Sequence, residues 1–376
     1  MLKRNLFCMY AIALLQGMVF YAPVATLYRR AAGVSVFEIS LIEAVSLALC
    51  VALEAPWGYL ADRLGYRRTM VLCCGLYFVS KLVFWQADSF GDFLAERILL
   101  AVVQAGLSGT DSALLYLSCK GRDSLRVFSV YNALSMAGLV AAGGVFALLP
   151  AGSYRLSALL TAGSYALALL FALGLREVRG PEPAPARGSF AAAVREALGG
   201  GVLPLLAGAA LLAEVCQVAT VFLNQLKYEA CGLGPQAMSA AYVAASLLGL
   251  AGAFSPALAR RLGMRGAAAF CALACLAGCG VLAAASSAPA AVASVLALRT
   301  SSSLLAPLTD EERNRRLKTK DRASALSVQA MVMECFAIAV NLALGALAQQ
   351  SLAAAFLLGA VLSAAGLRLL LFRRKA

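Results

Sequence analysis

The chain has 376 residues, of which 62% are hydrophobic and only 14% are charged, and its formal net charge is +13. Soluble domains carry about 25% charged residues, so this composition excludes an ordinary soluble protein and predicts that lipid surrounds most of the chain. The sequence contains no histidine. That absence excludes a histidine proton relay, a histidine metal site and a Ser-His-Asp triad, and we expect no metal and no cofactor.

Twelve apolar stretches follow one another along the chain, and each is long enough to cross the roughly 30 Å hydrocarbon core of a membrane as a helix. They lie near residues 6–28, 37–60, 70–87, 92–117, 127–149, 154–175, 201–226, 236–258, 266–286, 289–308, 323–347 and 351–371. None shows the apolar–polar alternation of a membrane strand. The sequence therefore predicts an all-α membrane protein with twelve transmembrane helices.

The basic residues are concentrated in every second loop. If the N-terminus lies in the cytoplasm, most of the 32 lysines and arginines fall on cytoplasmic segments, while Arg29, Arg30, Arg155 and Lys227 fall outside. This is the positive-inside distribution, so both termini are predicted to be cytoplasmic, in a plasma (inner) membrane. The lipid bilayer accounts for the positive charge, and no nucleic-acid partner is expected.

An internal repeat divides the chain into two halves. LADRLGYR at residues 60–67 returns as LARRLGMR at residues 258–265, and KGRD at 120–123 returns as KTKD at 318–321, both after 198 residues. Two parallel six-helix repeats are a common construction of transporters. We expect an N-terminal bundle over 1–175, a cytoplasmic linker with a short amphipathic helix over 176–200, and a C-terminal bundle over 201–376.

The loop after the second stretch reads GYLADRLGYRR from residue 58. It resembles the loop signature of the major facilitator superfamily, and the matching residues are Gly58, Leu60, Asp62, Arg63, Gly65 and Arg67. The resemblance implies the major facilitator fold, with Asp62 as a cytoplasmic latch between the halves. In the second copy Arg260 replaces the aspartate, so that copy lacks the latch carboxylate.

Charged residues inside the apolar stretches are expensive and are expected to have partners or a function. LAERILLAVVQAG resembles the fourth-helix motif of the superfamily and supplies Arg97, and LALR places Arg299 in a similar position in the tenth stretch. We expect Glu334 to pair with Arg299. We expect Glu43 to pair with Lys81.

The resemblance implies that helices 1, 4, 7 and 10 line a central cavity. Glu214, in the seventh helix, is then the first candidate for proton coupling, and Asp111, in the fourth, is the second. A structural ion pair is the alternative role for each carboxylate. The candidates for polar contacts in the cavity are Gln16, Tyr21, Gln217 and Asn224.

SGTDSALLY and RASALSVQAM resemble stretches of bacterial drug and metabolite exporters of the superfamily. The resemblance implies a monomeric secondary active transporter that works by alternating access, with a small-molecule substrate and protons as its partners. Proton-coupled export of lipophilic or cationic compounds is the leading prediction. Proton-coupled uptake and lipid flipping on the same fold are the alternatives, and a membrane-embedded enzyme or a transport-dead sensor is less favoured.

Overall fold

A computed structural model of the chain describes residues 2–119, 123–150, 152–178, 194, 197–199, 201–317 and 322–371, with the backbone alone for residues 2, 55, 58, 59, 61, 62, 125 and 322–324. The regular structure of these residues is helical and contains no strand. The all-α prediction is therefore confirmed. Most of the predicted linker helix lies outside the described residues.

The first part of the described chain forms eight α-helices: α1 (Leu2–Gly17), α2 (Ala25–Ala31), α3 (Val36–Leu64), α4 (Tyr66–Gln86), α5 (Phe90–Leu107), α6 (Thr110–Leu117), α7 (Ser124–Ala147) and α8 (Tyr154–Leu173). The second part forms seven: α9 (Leu203–Gln217), α10 (Leu223–Ala230), α11 (Pro235–Leu248), α12 (Ser255–Ala284), α13 (Ala288–Arg316), α14 (Arg322–Gln350) and α15 (Leu352–Leu371).

Eleven segments of the described chain are long and apolar enough to cross a membrane. Ten of them overlap one predicted stretch each, whereas the 50-residue segment Pro235–Ala284 covers two. At 1.5 Å per residue a straight helix of that length would extend about 75 Å, more than twice the hydrocarbon thickness. This segment consists of α11, a 3-10 turn and α12, and α12 is itself broken at Gly263. The predicted number of twelve crossings stays a prediction.

Three of the segments that match predicted stretches are interrupted part of the way along. The first changes from α1 through a 3-10 turn at Ala22–Val24 to α2. The fourth breaks between α5 and α6, where Gly109 has a φ of +78°. The seventh passes from α9 into α10 through a π-helix at Val218–Phe222. Such irregular backbone frees peptide groups from the helical hydrogen-bond pattern and often marks a functional position.

Helix boundaries recur at the spacing of the sequence repeat. Gly65 and Gly263, 198 residues apart, have nearly the same backbone, with φ 84° and ψ 155° against φ 72° and ψ 161°. The same spacing separates the starts of α5 and α13, of α7 and α14, and of α8 and α15. Because glycine adopts a positive φ without a steric cost, the LGxR sequence has glycine in both copies.

The chain forms two compact units. The first unit contains residues 1–34, 45–183 and 235–246, and the second contains 35–44, 184–234 and 247–376. The segment 35–44 belongs to the second unit, and there the backbone amides of Val36 and Phe37 donate to Gln349 Oε1 at 2.9 and 3.3 Å. The predicted division into two six-helix halves stays a prediction.

Within the first unit, helices α1 and α7 pack with their backbones in direct contact. A Cβ atom added at Gly138 would overlap the carbonyl oxygen of Leu14, and one added at Gly17 would overlap the backbone of Ser135. Small residues at such positions let membrane helices approach closely, which maximises their van der Waals contact. The glycine-rich sequence of α7 therefore has a packing role at Gly138.

Substitution Gly138→Ala should destabilise the first unit, because the new methyl group overlaps the backbone of α1, and overpacking of this kind typically costs about 1–3 kcal/mol. The matched control is Gly144→Ala on the same helix, where a Cβ meets open space and alanine raises the helix propensity. Thermal unfolding of the purified variants in detergent measures both effects. Equal melting temperatures for the two variants would contradict the close contact.

Candidate functional site

A buried ion pair lies in the first unit. Lys81 Nζ of α4 is 2.9 Å from Glu96 Oε1 of α5, and both side chains are almost completely buried. Lys81 Nζ also donates a hydrogen bond to the hydroxyl oxygen of Tyr21 at 2.9 Å. A lone buried charge would be very costly in lipid, so the lysine and the glutamate neutralise each other.

Three tyrosine rings surround the Lys81 ammonium group. Its nitrogen lies 5.6 Å from the ring centre of Tyr21, 5.8 Å from that of Tyr77 and 5.7 Å from that of Tyr165. Lys81 meets Tyr21 through the hydroxyl group, whereas Tyr77 and Tyr165 lie at distances at which cations are attracted to aromatic faces, more strongly where water is absent. The group formed by Lys81, Glu96 and the three tyrosines, called here the lysine cage, is therefore a closed and electrically neutral arrangement.

Sequence reasoning identified two members of the lysine cage, Lys81 and Tyr21, but missed Glu96. A signal was available, because Glu96 stands directly before the motif residue Arg97 in LAER. The structure shows Glu96 in contact with Lys81, whereas the predicted partner Glu43 belongs to the other unit. The pairing of Glu43 with Lys81 stays a prediction. Arg97 itself is half-buried on α5.

Asp111 lies beside the break in the fourth segment. It is in the first turn of α6, and its Oδ1 accepts a hydrogen bond from the amide of Ser112 at 2.5 Å. A carboxylate is favoured in the first turn of a helix, where backbone amides point outward. This local contact gives Asp111 a structural role at the start of α6, and its predicted role in coupling stays a prediction.

Glu214 lies near the end of α9, just before the π-helix at Val218–Phe222. Its side chain is half-buried, and its Oε1 accepts a hydrogen bond from Nδ2 of the buried Asn341 on α14. The second unit thus holds a carboxylate at the only described π-helix of the chain. Asn341 was not among the predicted site residues, because nothing in the sequence pairs residues on two distant helices.

Two further carboxylates lie near Glu214 in the second unit. Glu334 and Glu43 are both close enough for their charges to repel that of Glu214. Within the described residues, no group of three Asp, Glu, Cys or His side chains is arranged to hold a metal ion. We call Glu214, Glu334, Glu43 and Asn341 the carboxylate cluster.

The other predicted residues of the second unit occupy different settings. Arg299 is half-buried on α13 and lies near Cys216. Its pairing with Glu334 stays a prediction. Gln217 is exposed at the end of α9, and Asn224 is buried on α10. A role in contacting substrate stays a prediction for Gln217 and Asn224.

In the first unit, Gln16 donates to the sulfur of Cys74 at 3.4 Å, and Tyr21 belongs to the lysine cage. Both side chains are already engaged with protein atoms. A role in contacting substrate stays a prediction for each of them.

The structure describes only part of the loop signature, because Gly58 and Asp62 are described by their backbone alone. Arg67 Nε donates to the carbonyl oxygen of Leu175 at 2.7 Å, and the Arg67 amide donates to Glu177 Oε1 at 3.3 Å. Glu177 thus places a carboxylate at the start of α4, where a helix attracts negative charge. These contacts hold α4 against the chain that follows α8.

The other described residues of the signature have simpler surroundings. Leu60 is 38% exposed, Arg63 is exposed, and Gly65 supplies the positive φ of the turn before α4. Their environment fits a turn at the membrane surface. The latch role implied by the resemblance stays a prediction.

The architecture defines a class of protein. Membrane-spanning helices that are interrupted along their length, next to buried ionisable groups, are characteristic of secondary transporters. The sequence profile of the Major Facilitator Superfamily matches residues 6–309. The chain belongs to the Major Facilitator Superfamily and is a multi-pass membrane protein that transports small molecules.

Solved structures share this fold at low sequence identity. The nucleoside transporter NupG, as its D323A mutant, is similar with a TM-score of 0.82 and 14% identity, over 96% of this chain and 98% of that one. A POT family transporter in complex with 5-aminolevulinic acid gives 0.73 and 15%, over 99% and 95%. A bacterial homologue of the human lysosomal transporter Spinster gives 0.69 and 16%, over 98% and 94%. No curated protein sequence matches the chain.

Removing Lys81 should strongly destabilise the first unit. In Lys81→Met the Glu96 carboxylate loses its counter-charge while buried, and breaking a buried pair in this way costs roughly 3–5 kcal/mol. Glu96→Gln should cost less, because the three tyrosine rings still surround the ammonium group. The double variant Lys81→Met/Glu96→Gln should be more stable than Lys81→Met, since no buried charge is left unpaired.

Melting temperatures of the purified variants in detergent test this order. Asp88→Asn is the control, because Asp88 pairs with Arg155 at an exposed site, where ion pairs contribute little. Strictly additive effects of the two cage substitutions would show that Lys81 and Glu96 do not stabilise each other.

Proposed function

We propose that this transporter exports small lipophilic or cationic compounds in exchange for protons, and that Glu214 carries the proton. The observation that supports the proposal most directly is the carboxylate cluster beside the π-helix of the seventh segment. Twelve transmembrane helices in two parallel repeats, cytoplasmic termini and a plasma-membrane location complete the proposal. The repeated helix boundaries support the two-repeat arrangement.

The surroundings of Glu214 suit a group that gains and loses a proton. The side chain is half-buried beside the π-helix, and the Asn341 amide donates to its carboxylate. Asn341 can also serve the protonated form, since a carboxamide has both donors and an acceptor. Its Oδ1 has no hydrogen-bond partner among the described residues. Both protonation states of Glu214 therefore have a hydrogen-bond partner within reach.

The backbone beside Glu214 can change shape. In a π-helix each backbone hydrogen bond spans five residues rather than the four of an α-helix, and the arrangement is rare. The interruption at Val218–Phe222 thus gives the seventh segment a point at which its two parts can reorient. We infer that protonation of Glu214 and reorientation of the segment occur together during alternating access.

The carboxylate of Glu214 supports a cationic cargo. An ionised Glu214 attracts a cation, and a proton that binds there removes this attraction, so proton and cation compete for one group. Competition for one group yields exchange, in which the proton enters as the compound leaves. The resemblance of SGTDSALLY and RASALSVQAM to exporter sequences favours the same direction.

Proton-coupled uptake is the second candidate. It is favoured by the likeness to structures whose names describe a nucleoside transporter and a POT family transporter in complex with 5-aminolevulinic acid. In this case proton and compound would bind together, and Glu214 would be neutralised before the compound is released. The two candidates differ in the relative direction of proton and compound.

Glu214→Gln should abolish proton-coupled transport, because glutamine keeps the shape and hydrogen-bonding capacity of the side chain but cannot exchange a proton. The measurement uses everted membrane vesicles acidified inside and a pH-gradient dye. A panel of lipophilic cations and antibiotics is added from outside. With the unsubstituted protein we expect compound-induced loss of the pH gradient, and with Glu214→Gln we expect none.

The control is Glu229→Gln, which removes an exposed carboxylate at the end of α10 and should leave the response unchanged. Equal responses from Glu214→Gln and the unsubstituted protein would remove Glu214 from the mechanism. If the pH gradient is lost only when the compound is loaded inside the vesicles, the protein takes up the compound together with protons and does not exchange them.

A further inference from the structure

A cleft of about 430 Å³ opens within the second unit, apart from the carboxylate cluster. Its walls come from α12, α13 and α15, with Leu205 of α9 at one side. The kink of α12 at Gly263 forms one edge, because the chain turns there before the helix resumes. The cleft lies at the end of the helices where the repeat sequence LARRLGMR and the basic end of α13 are found.

One side of the cleft is basic. Arg265, Arg315 and Arg316 line it together with a single carboxylate, Glu312. Arg315 Nη2 lies 2.8 Å from Glu312 Oε2, and Arg316 Nε lies 2.9 Å from Glu312 Oε1. One carboxylate cannot neutralise three guanidinium groups, so this wall carries a net positive charge. Glu312 holds two of the arginines in place, which prepares them to meet an anion.

The arginines remain accessible to a ligand. The side chain of Arg315 is 69% exposed despite its ion pair, and Arg265 is exposed at the start of the resumed helix. Arg316 is more enclosed and donates to the carbonyl oxygen of Gly201 at 3.3 Å. Arg265 and Arg315 are thus the residues of the wall that are best placed to bind an anion.

The other side of the cleft is apolar and continues onto the outer surface of the helices. Leu262 and Leu371 line the cleft and are 49% and 44% exposed. Farther along α12, Phe270 and Leu273 are each 53% exposed. In a membrane-spanning helix, large exposed apolar side chains of this kind face lipid tails. From Met264, where α12 resumes after its break at Gly263, to Phe270 the helix rises about 9 Å, so an apolar track leads from the cleft into the bilayer.

We propose that this cleft binds one anionic phospholipid, with the phosphate group on Arg265 and Arg315 and an acyl chain along Leu262 and Phe270. The basic wall complements a phosphate, for which arginine offers paired N–H donors, and the apolar track complements the chain attached to it. A soluble anion would use only the basic wall. A neutral lipid would use only the track.

The experiment measures lipid binding to the purified, full-length protein in detergent by native mass spectrometry, with phosphatidylglycerol, phosphatidylcholine and inorganic phosphate as three separate probes. We expect retention of one phosphatidylglycerol molecule and weak binding of the other two. In Arg265→Gln/Arg315→Gln, phosphatidylglycerol binding should weaken at least tenfold, since each basic residue near an anionic lipid contributes about 1 kcal/mol.

The matched control is Arg260→Gln/Arg261→Gln, which removes two exposed arginines of the same helix that do not line the cleft. Its phosphatidylglycerol binding should equal that of the unsubstituted protein. Equal loss in both double variants would show a general charge effect and overturn the site. Phosphate that competes with the lipid at equal concentration would instead make the cleft a site for soluble anions. Unchanged lipid-free melting temperatures show that the variants are folded.

Discussion

The low polarity of the membrane interior governs this molecule, because a charge or a peptide group that finds no partner there is costly. Lys81 and Glu96 meet the requirement as a pair, enclosed by three tyrosine rings. Glu214 meets it in part, through the Asn341 amide. The same cost applies at the interruptions of the first, fourth and seventh segments, because backbone groups there leave the regular helical hydrogen-bond pattern.

The two units satisfy this constraint differently. In the first, the lysine cage pairs one positive with one negative charge, so it is suited to hold helices together. In the second, Glu334 and Glu43 lie near Glu214, which accepts a hydrogen bond from the Asn341 amide. Such a cluster changes its charge most easily by taking up a proton or a cation, which is the property that a coupled transporter requires. The lysine cage therefore suits a stabilising role, and the coupling proposed above depends on the carboxylate cluster.

Local features of the fold could be predicted from sequence, whereas the contacts between distant helices could not. Apolar stretches mark the helices. The repeated glycine of LGxR marks the turn at Gly65 and Gly263, because the positive φ of both turns favours glycine. The partner of Lys81 and the amide on Glu214 depend on how helices face each other, which no local pattern specifies. The π-helix at Val218–Phe222 arises in an otherwise regular apolar stretch, so periodicity gives no sign of it.

The most direct test of the account is whether Glu214 holds an exchangeable proton. Infrared difference spectroscopy of the purified protein in lipid, titrated through the pH range of transport, detects the carbonyl stretch of a protonated carboxyl group. We expect a band that titrates in the unsubstituted protein, shifts when a transported cation is added, and is missing in Glu214→Gln. Identical carboxyl bands in the two proteins at every pH would contradict it.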